Sequence, residues 1–201
     1  SWISGKGRTF LLMVPLSAGF WYLFEFFNLF LKNWAYQGLP APWITAIGMT
    51  WAFATIGPGM LETTDLLESI GAFKLRMRGF TVPRSVLYVL IIIGAGCLIS
   101  ILITPPRRAR CLAIPLWLGF ILLLDPINYI KGHKSLLKQC DTGDLQHLSC
   151  LFVGGLICGF LWEFWNYWAA TKWVYQLPYT AGPKLFEMPL LGYLGFPALA
   201  L

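Results

Sequence analysis

The chain has 201 residues, of which 57% are hydrophobic and only 12% charged, and a formal net charge of +6. A soluble domain carries roughly 25% charged residues, so this composition, with a mean hydropathy of +0.65, excludes an ordinary water-soluble fold and reads as an integral membrane protein. The basic residues are spread over short connections, which suits phospholipid headgroups and gives no footprint for nucleic acid.

In chain order, the first long apolar stretch covers 9–31 and contains Glu25-Phe26-Phe27-Asn28. About 20 apolar residues span ~30 Å of hydrocarbon, and this stretch is long enough. It is followed by Lys32-Asn33-Trp34-Ala35-Tyr36-Gln37-Gly38, a cluster of the kind that anchors helices at the membrane surface. A second stretch covers 43–62. Residues 63–80 mix charged and apolar positions and are expected to form either a helix lying in the headgroups or a basic loop. A third stretch covers 86–104, and Pro105 to Arg110 form a basic turn.

A fourth stretch, 112–130, carries Asp125-Pro126-Ile127-Asn128. The loop that follows holds both histidines, His133 and His147, together with Cys140, and Cys150 lies just after it. Those two cysteines could pair only on an oxidising side. The fifth stretch, 149–171, contains Gly155-Leu156-Ile157-Cys158-Gly159, a GxxxG element that permits close helix contact. It also contains Glu163-Phe164-Trp165-Asn166. A second aromatic connection, Lys172-Trp173-Val174-Tyr175, leads to a sixth stretch at 185–201 in which Glu187 lies near one end. Period-2 alternation is missing, so a barrel is disfavoured. The expected fold is all-α: a polytopic transmembrane bundle of about six spans.

The chain also repeats. Glu25 aligns with Glu163, Leu23 with Leu161, Phe26 with Phe164 and Asn28 with Asn166. One residue later in the second copy, Trp34-Ala35-Tyr36-Gln37 aligns with Trp173-Val174-Tyr175-Gln176, Met49 with Met188 and Pro58 with Pro197. An even number of spans separates the copies, so the repeat is parallel. Upstream, Ser1-Trp2-Ile3 matches Ser135-Leu136-Leu137, which would give the helix at 112–130 a partner before residue 1. The expected organisation is a first repeat at 1–62, an intervening loop and span at 63–111, and a second repeat at 112–201.

Residues three apart share a helix face, so each acid-x-x-Asn unit presents one carboxyl and one amide to the same neighbour. At 1.5 Å per residue, Glu25 lies ~13 Å before Trp34 and Glu163 ~15 Å before Trp173. With those tryptophans at the interface, both acids fall near the bilayer midplane, where an unpaired charge costs on the order of 3 kcal/mol. Glu25, Glu163 and Asp125 are therefore expected inside the bundle, protonated and hydrogen-bonded, hydrated in a cavity, or bound to a cation. They are the candidate catalytic groups. Asn28, Asn166, Asn128, Trp34, Tyr36, Trp173, Tyr175 and Glu187 are the candidate binding residues. Helix-to-helix hydrogen bonding with no further role is the plain alternative for the acids and amides. Interfacial anchoring is the alternative for the aromatic residues and Glu187.

No span offers a histidine, which argues against a haem b with histidine ligands and against a histidine metal cluster in the membrane. P-loop, dinucleotide and HExxH motifs do not occur. Three functions remain. One is a binding or assembly subunit that packs against partner membrane chains or holds lipophilic molecules. The second is an enzyme performing acid–base chemistry on an isoprenoid-type lipid, whose duplicated small-helix architecture is similar to that of the lycopene cyclases, although the Pro-x-Glu-Glu type acid pair associated with that family does not occur here. The third is a proton or cation pathway. A bacterial-type inner or plasma membrane with the N-terminal side cytoplasmic is the expected location, from the distribution of Lys and Arg, with Arg107, Arg108 and Arg110 opposing it.

Overall fold

A computed structural model describes residues 7–178 and 182–201. Helix α1, Gly7–Leu31, leads to strand β1, Trp34–Gln37. Helix α2 runs Pro42–Ser69 and α3 runs Arg84–Ile103. A short helix α4, Pro106–Ala109, and one 3₁₀ turn precede α5, Ala113–Ile130. Helix α6, Leu136–Thr142, leads to α7, Gln146–Trp168, and then to strand β2, Lys172–Tyr175. A two-residue pair, β3 (Lys184–Leu185) and β4 (Met188–Pro189), a 3₁₀ turn at Leu190–Leu194 and helix α8, Gly195–Ala200, complete the described chain.

Five helical segments are long and apolar enough to cross a membrane: α1, α2, α3, Pro106–Ile130 and α7. Their outer faces expose large apolar side chains such as Leu11, Trp51, Ile92 and Ile103, more than a soluble monomer tolerates. The architecture is compatible with a multi-pass membrane protein.

One expectation changes and two open alternatives narrow. The stretch 185–201 is not one spanning helix within the described residues; Pro189, Gly192, Gly195 and Pro197 divide it into a strand, a 3₁₀ turn and a six-residue helix. Residues 63–80 form no separate surface helix: 63–69 extend α2, and the rest is a loop bridged to the α6–α7 connection through Arg76 and Asp144. Cys140 and Cys150 are not joined. The match proposed for Ser1-Trp2-Ile3 lies outside the described residues.

Helix α1 packs on α2, α2 on α7, α7 on α8, and α3 on α5. A proline at position 58 interrupts α2 because it has no N–H to give. Ser17 of α1 enters the helix just before it: its Oγ donates to the Phe53 carbonyl at 2.6 Å and accepts from the Gly57 N–H at 2.8 Å. A polar side chain thus replaces a rung of the helical ladder and fixes α1 against α2. Between α3 and α5 the backbones approach so closely that a Cβ on Gly94 would lie 2.5 Å from Leu123 N. The GxxxG element receives α8: a Cβ on Gly155 would lie 2.9 Å from the Phe196 carbonyl, and one on Gly159 would lie 2.1 Å from the Phe196 ring.

One apolar core forms where α1, α3, α4 and α5 meet, around Phe24, Phe27, Leu31, Ile101, Ala109 and Leu116. A second joins Met188, Tyr193 and Phe196 to Leu156, Trp162 and Tyr175. At the end of the bundle that holds the α2–α3 and α5–α7 connections, Glu68 pairs with His147, and Thr81 Oγ1 donates to Asp141 at 2.8 Å. At the other end, β1 and β2 pair antiparallel, with Trp34 opposite Tyr175, Ala35 opposite Val174, Tyr36 opposite Trp173 and Gln37 opposite Lys172.

Candidate functional site: an aromatic chamber backed by two glutamates

The site begins with two turns. After α1 the chain reverses through Lys32, which adopts a positive φ of 51°. Asn28 holds the reversed segment: its Oδ1 accepts from Asn33 N at 2.9 Å and Trp34 N at 3.3 Å, and its Nδ2 donates to the Trp34 carbonyl at 2.9 Å. After α7, Asn166 makes the same pair of bonds to the main chain of Trp173, donating at 2.9 Å and accepting at 2.9 Å. An amide carries both a donor and an acceptor on one flat group, so it bonds a peptide unit as a neighbouring strand would. A carboxylate could do only half of this.

With the strands anchored in this way, alternation places Trp34 and Tyr36 on one face of β1, and Trp173 and Tyr175 on one face of β2. Those faces turn to the acids. Glu25 Oε1 accepts from Trp21 Nε1 at 3.2 Å, Trp34 Nε1 at 3.0 Å and Tyr36 OH at 2.5 Å. Glu163 Oε1 accepts from Trp173 Nε1 at 3.1 Å and Tyr175 OH at 2.6 Å. The Trp173 indole N–H also lies 2.9 Å from the Tyr175 oxygen. Burial, followed by the charge of the adjoining glutamate, pushes the Tyr36 and Tyr175 phenols up from their ordinary value. Both remain protonated donors.

Trp34 and Trp173 do not lie ~13–15 Å from the acids, as continuous helices would place them; the chain doubles back, and their rings reach the acids of the helices they follow. The carboxyls meet neutral indole and phenol donors. Glu163 is wholly buried, and its Oε2 has no hydrogen-bond partner among the described residues. Asn166 is buried with it.

The surroundings of the two acids differ. The residue four positions before Glu25 is Trp21, and the residue four positions before Glu163 is Gly159. The third donor to the acid is lost there, and the Phe196 ring lies against the glycine.

Between these elements lies a cavity of about 390 Å³. Trp34 and Tyr36 line it from one strand, Trp173 and Tyr175 from the other, and Trp21 and Trp162 from the helices. The glutamates stand behind this wall, one hydrogen bond from its inner surface.

The third acid-x-x-Asn unit is placed elsewhere. Asp125 accepts from Leu136 N at 2.5 Å and Leu137 N at 3.0 Å and so caps the start of α6. Asn128 accepts from His133 N at 2.9 Å through its carbonyl. Neither belongs to the chamber. Glu187 pairs with Lys172 at 2.7 Å, and Lys172 also lies over the Tyr167 ring at 5.4 Å. Sequence reasoning did not pick out Trp21 or Trp162. Trp21 was detectable as an indole one helical turn before Glu25.

No protein-family model, curated protein or solved structure matches the chain.

Proposed function

We propose that this protein is a membrane-embedded binding subunit that keeps a lipophilic molecule in the chamber between its two acid-bearing helices and assembles with other membrane chains. The observation that carries this reading is the cavity itself. Its volume lies within the ~300–1,000 Å³ common for small-molecule sites, and its wall is almost wholly apolar. A wall with so few polar groups favours a held molecule over a water-filled route. The exposed apolar faces of the spans suit acyl chains or partner helices.

An internal duplication belongs to the same reading. It is supported by the shared Glu–Trp–Tyr and Asn–Trp bonding, and by a second correspondence. Ser17 meets Gly57 beside Pro58; the aligned Gly155 meets Phe196 and Pro197. Helix α8 thus lies against α7 as the middle of α2 lies against α1. The N-terminal side facing the cytoplasm remains part of the proposal, on the balance of basic residues.

The test is purification in an uncharged maltoside detergent, followed by native mass spectrometry and solvent extraction. The expected result is a stoichiometric co-purifying lipophile, lost when Ile56→Trp fills the chamber. A folded wild-type protein that retains nothing would overturn the reading.

One observation favours a second reading. Tyr36 and Tyr175 each place a hydroxyl between a carboxyl and the chamber. A proton could pass from the acid through the phenol to an isoprenoid-type double bond, and return by the same route. Cells producing Glu163→Gln should then show an altered lipid profile relative to wild type; an unchanged profile removes this reading.

A further inference from the structure

The chamber wall is aromatic where an aliphatic wall would suffice for hydrocarbon. Leucine and isoleucine are plentiful on the outer faces of the spans, whereas Trp21, Trp34, Tyr36, Trp173 and Tyr175 face the cavity. Each of these five directs its only polar hydrogen at a glutamate. What these five offer an occupant is ring surface rather than a hydrogen-bond donor; Trp117, Trp162 and Trp165 line the cavity beside them. The face of an aromatic ring carries the negative part of its quadrupole, and donation to a carboxylate makes the ring more electron-rich.

The surroundings add to this bias. Two carboxyl groups lie directly behind the rings. No lysine or arginine lines the cavity among the described residues, and Lys172 on the adjoining strand is already held by Glu187. Glu163 Oε2, fully buried, retains an acceptor site without a partner among the described residues. Any charge that these carboxyls carry acts more strongly on an occupant in a low-dielectric interior than it would in water.

We propose that the chamber recognises an organic cation, a quaternary ammonium group on a lipophilic body, through cation–π contact with these rings and attraction to Glu25 and Glu163 behind them. A quaternary ammonium donates no hydrogen bond, so a wall of ring faces leaves none of its groups unmatched. A neutral hydrocarbon would gain the burial but not the electrostatic attraction. This inference rests on the reading of the chamber as a binding site and specifies the class of its occupant.

The experiment uses a water-soluble pair of equal shape: choline, and 3,3-dimethylbutan-1-ol, in which carbon replaces the charged nitrogen. Each is titrated into the full chain in maltoside micelles, with tryptophan fluorescence as the readout. Choline should bind about tenfold more tightly or better, as expected for a desolvated cation on aromatic faces. Its advantage over the alcohol should shrink several-fold in Glu163→Gln, and Ile56→Trp should abolish the response. Equal binding of the two probes overturns the cation assignment and leaves a chamber for neutral molecules. Binding of neither probe also overturns it, while the chamber itself is judged separately by the co-purification experiment. Because the two probes are compared on the wild-type protein, the outcome does not depend on any variant folding.

Discussion

Asn166 and Trp173 are joined through both ends of one amide: Nδ2 donates to the Trp173 carbonyl at 2.9 Å and Oδ1 accepts from its N–H at 2.9 Å. Asn166→Asp keeps the shape and the acceptor but removes the donor, and adds charge at a buried site. It should destabilise the protein by about 1–3 kcal/mol, the range for leaving a buried polar group unmatched. The measurement is unfolding in mixed micelles followed by tryptophan fluorescence, and a variant as stable as wild type would contradict the assigned role.

The two glutamates should respond unequally to loss of their phenols. Tyr175→Phe leaves Glu163 Oε1 with Trp173 alone, whereas Tyr36→Phe leaves Glu25 with both Trp21 and Trp34. The first substitution should cost about 1–3 kcal/mol and the second about 1 kcal/mol or less. The same unfolding assay ranks them, and the reverse order would show that Trp21 does not support Glu25.

How far the sequence foretold this site varies with the element. The five spans are legible from apolar length alone, and the shared Glu-x-x-Asn and Trp-x-Tyr marked the residues that meet. The reversal of the chain after each helix was not legible. Trp, Tyr and Lys beyond a span have the same composition whether the chain runs on from the helix or doubles back, and it is the Asn-to-main-chain bonds that hold it reversed. Asp125-x-x-Asn128 looks like a third copy, yet no Trp-x-Tyr follows it; a turn and α6 follow, so the carboxyl caps a helix. In the last stretch, apolar composition outweighed Pro189, Gly192, Gly195 and Pro197, which break helical continuity whatever the hydropathy.

The seat of α8 gives a third prediction. A Cβ on Gly159 would lie 2.1 Å from the Phe196 ring, so Gly159→Ala must displace that ring, at about 1–3 kcal/mol for an overpacked contact. Phe196→Leu relieves the clash. The double variant should be less destabilised than the sum of the singles, with a coupling of about 0.5–3 kcal/mol. Strict additivity would mean that the two do not touch.

Strand pairing can be tested by cross-linking. Ala35 and Val174 are Cα partners in the antiparallel ladder, and directly opposed residues lie about 4.5–5.5 Å apart, within reach of a disulfide. Ala35→Cys with Val174→Cys should close a bond under mild oxidation, read as a mobility shift reversed by reductant. Ala35→Cys with Trp173→Cys, out of register, should react far more slowly.

A pleated strand sends successive side chains to opposite sides, so a slip of one residue exchanges the two sides completely. In β1 and β2 such a slip would turn both indoles and both phenols from the carboxyls and offer Ala35 and Val174 in their place. The spacing inside each strand is therefore constrained more strictly than the connection before it: β2 keeps its contacts to Glu163 although the connection from Asn166 to Trp173 is one residue longer than that from Asn28 to Trp34, whereas a residue inserted between the Trp and the Tyr of either strand would turn one of the two donors away from its acid.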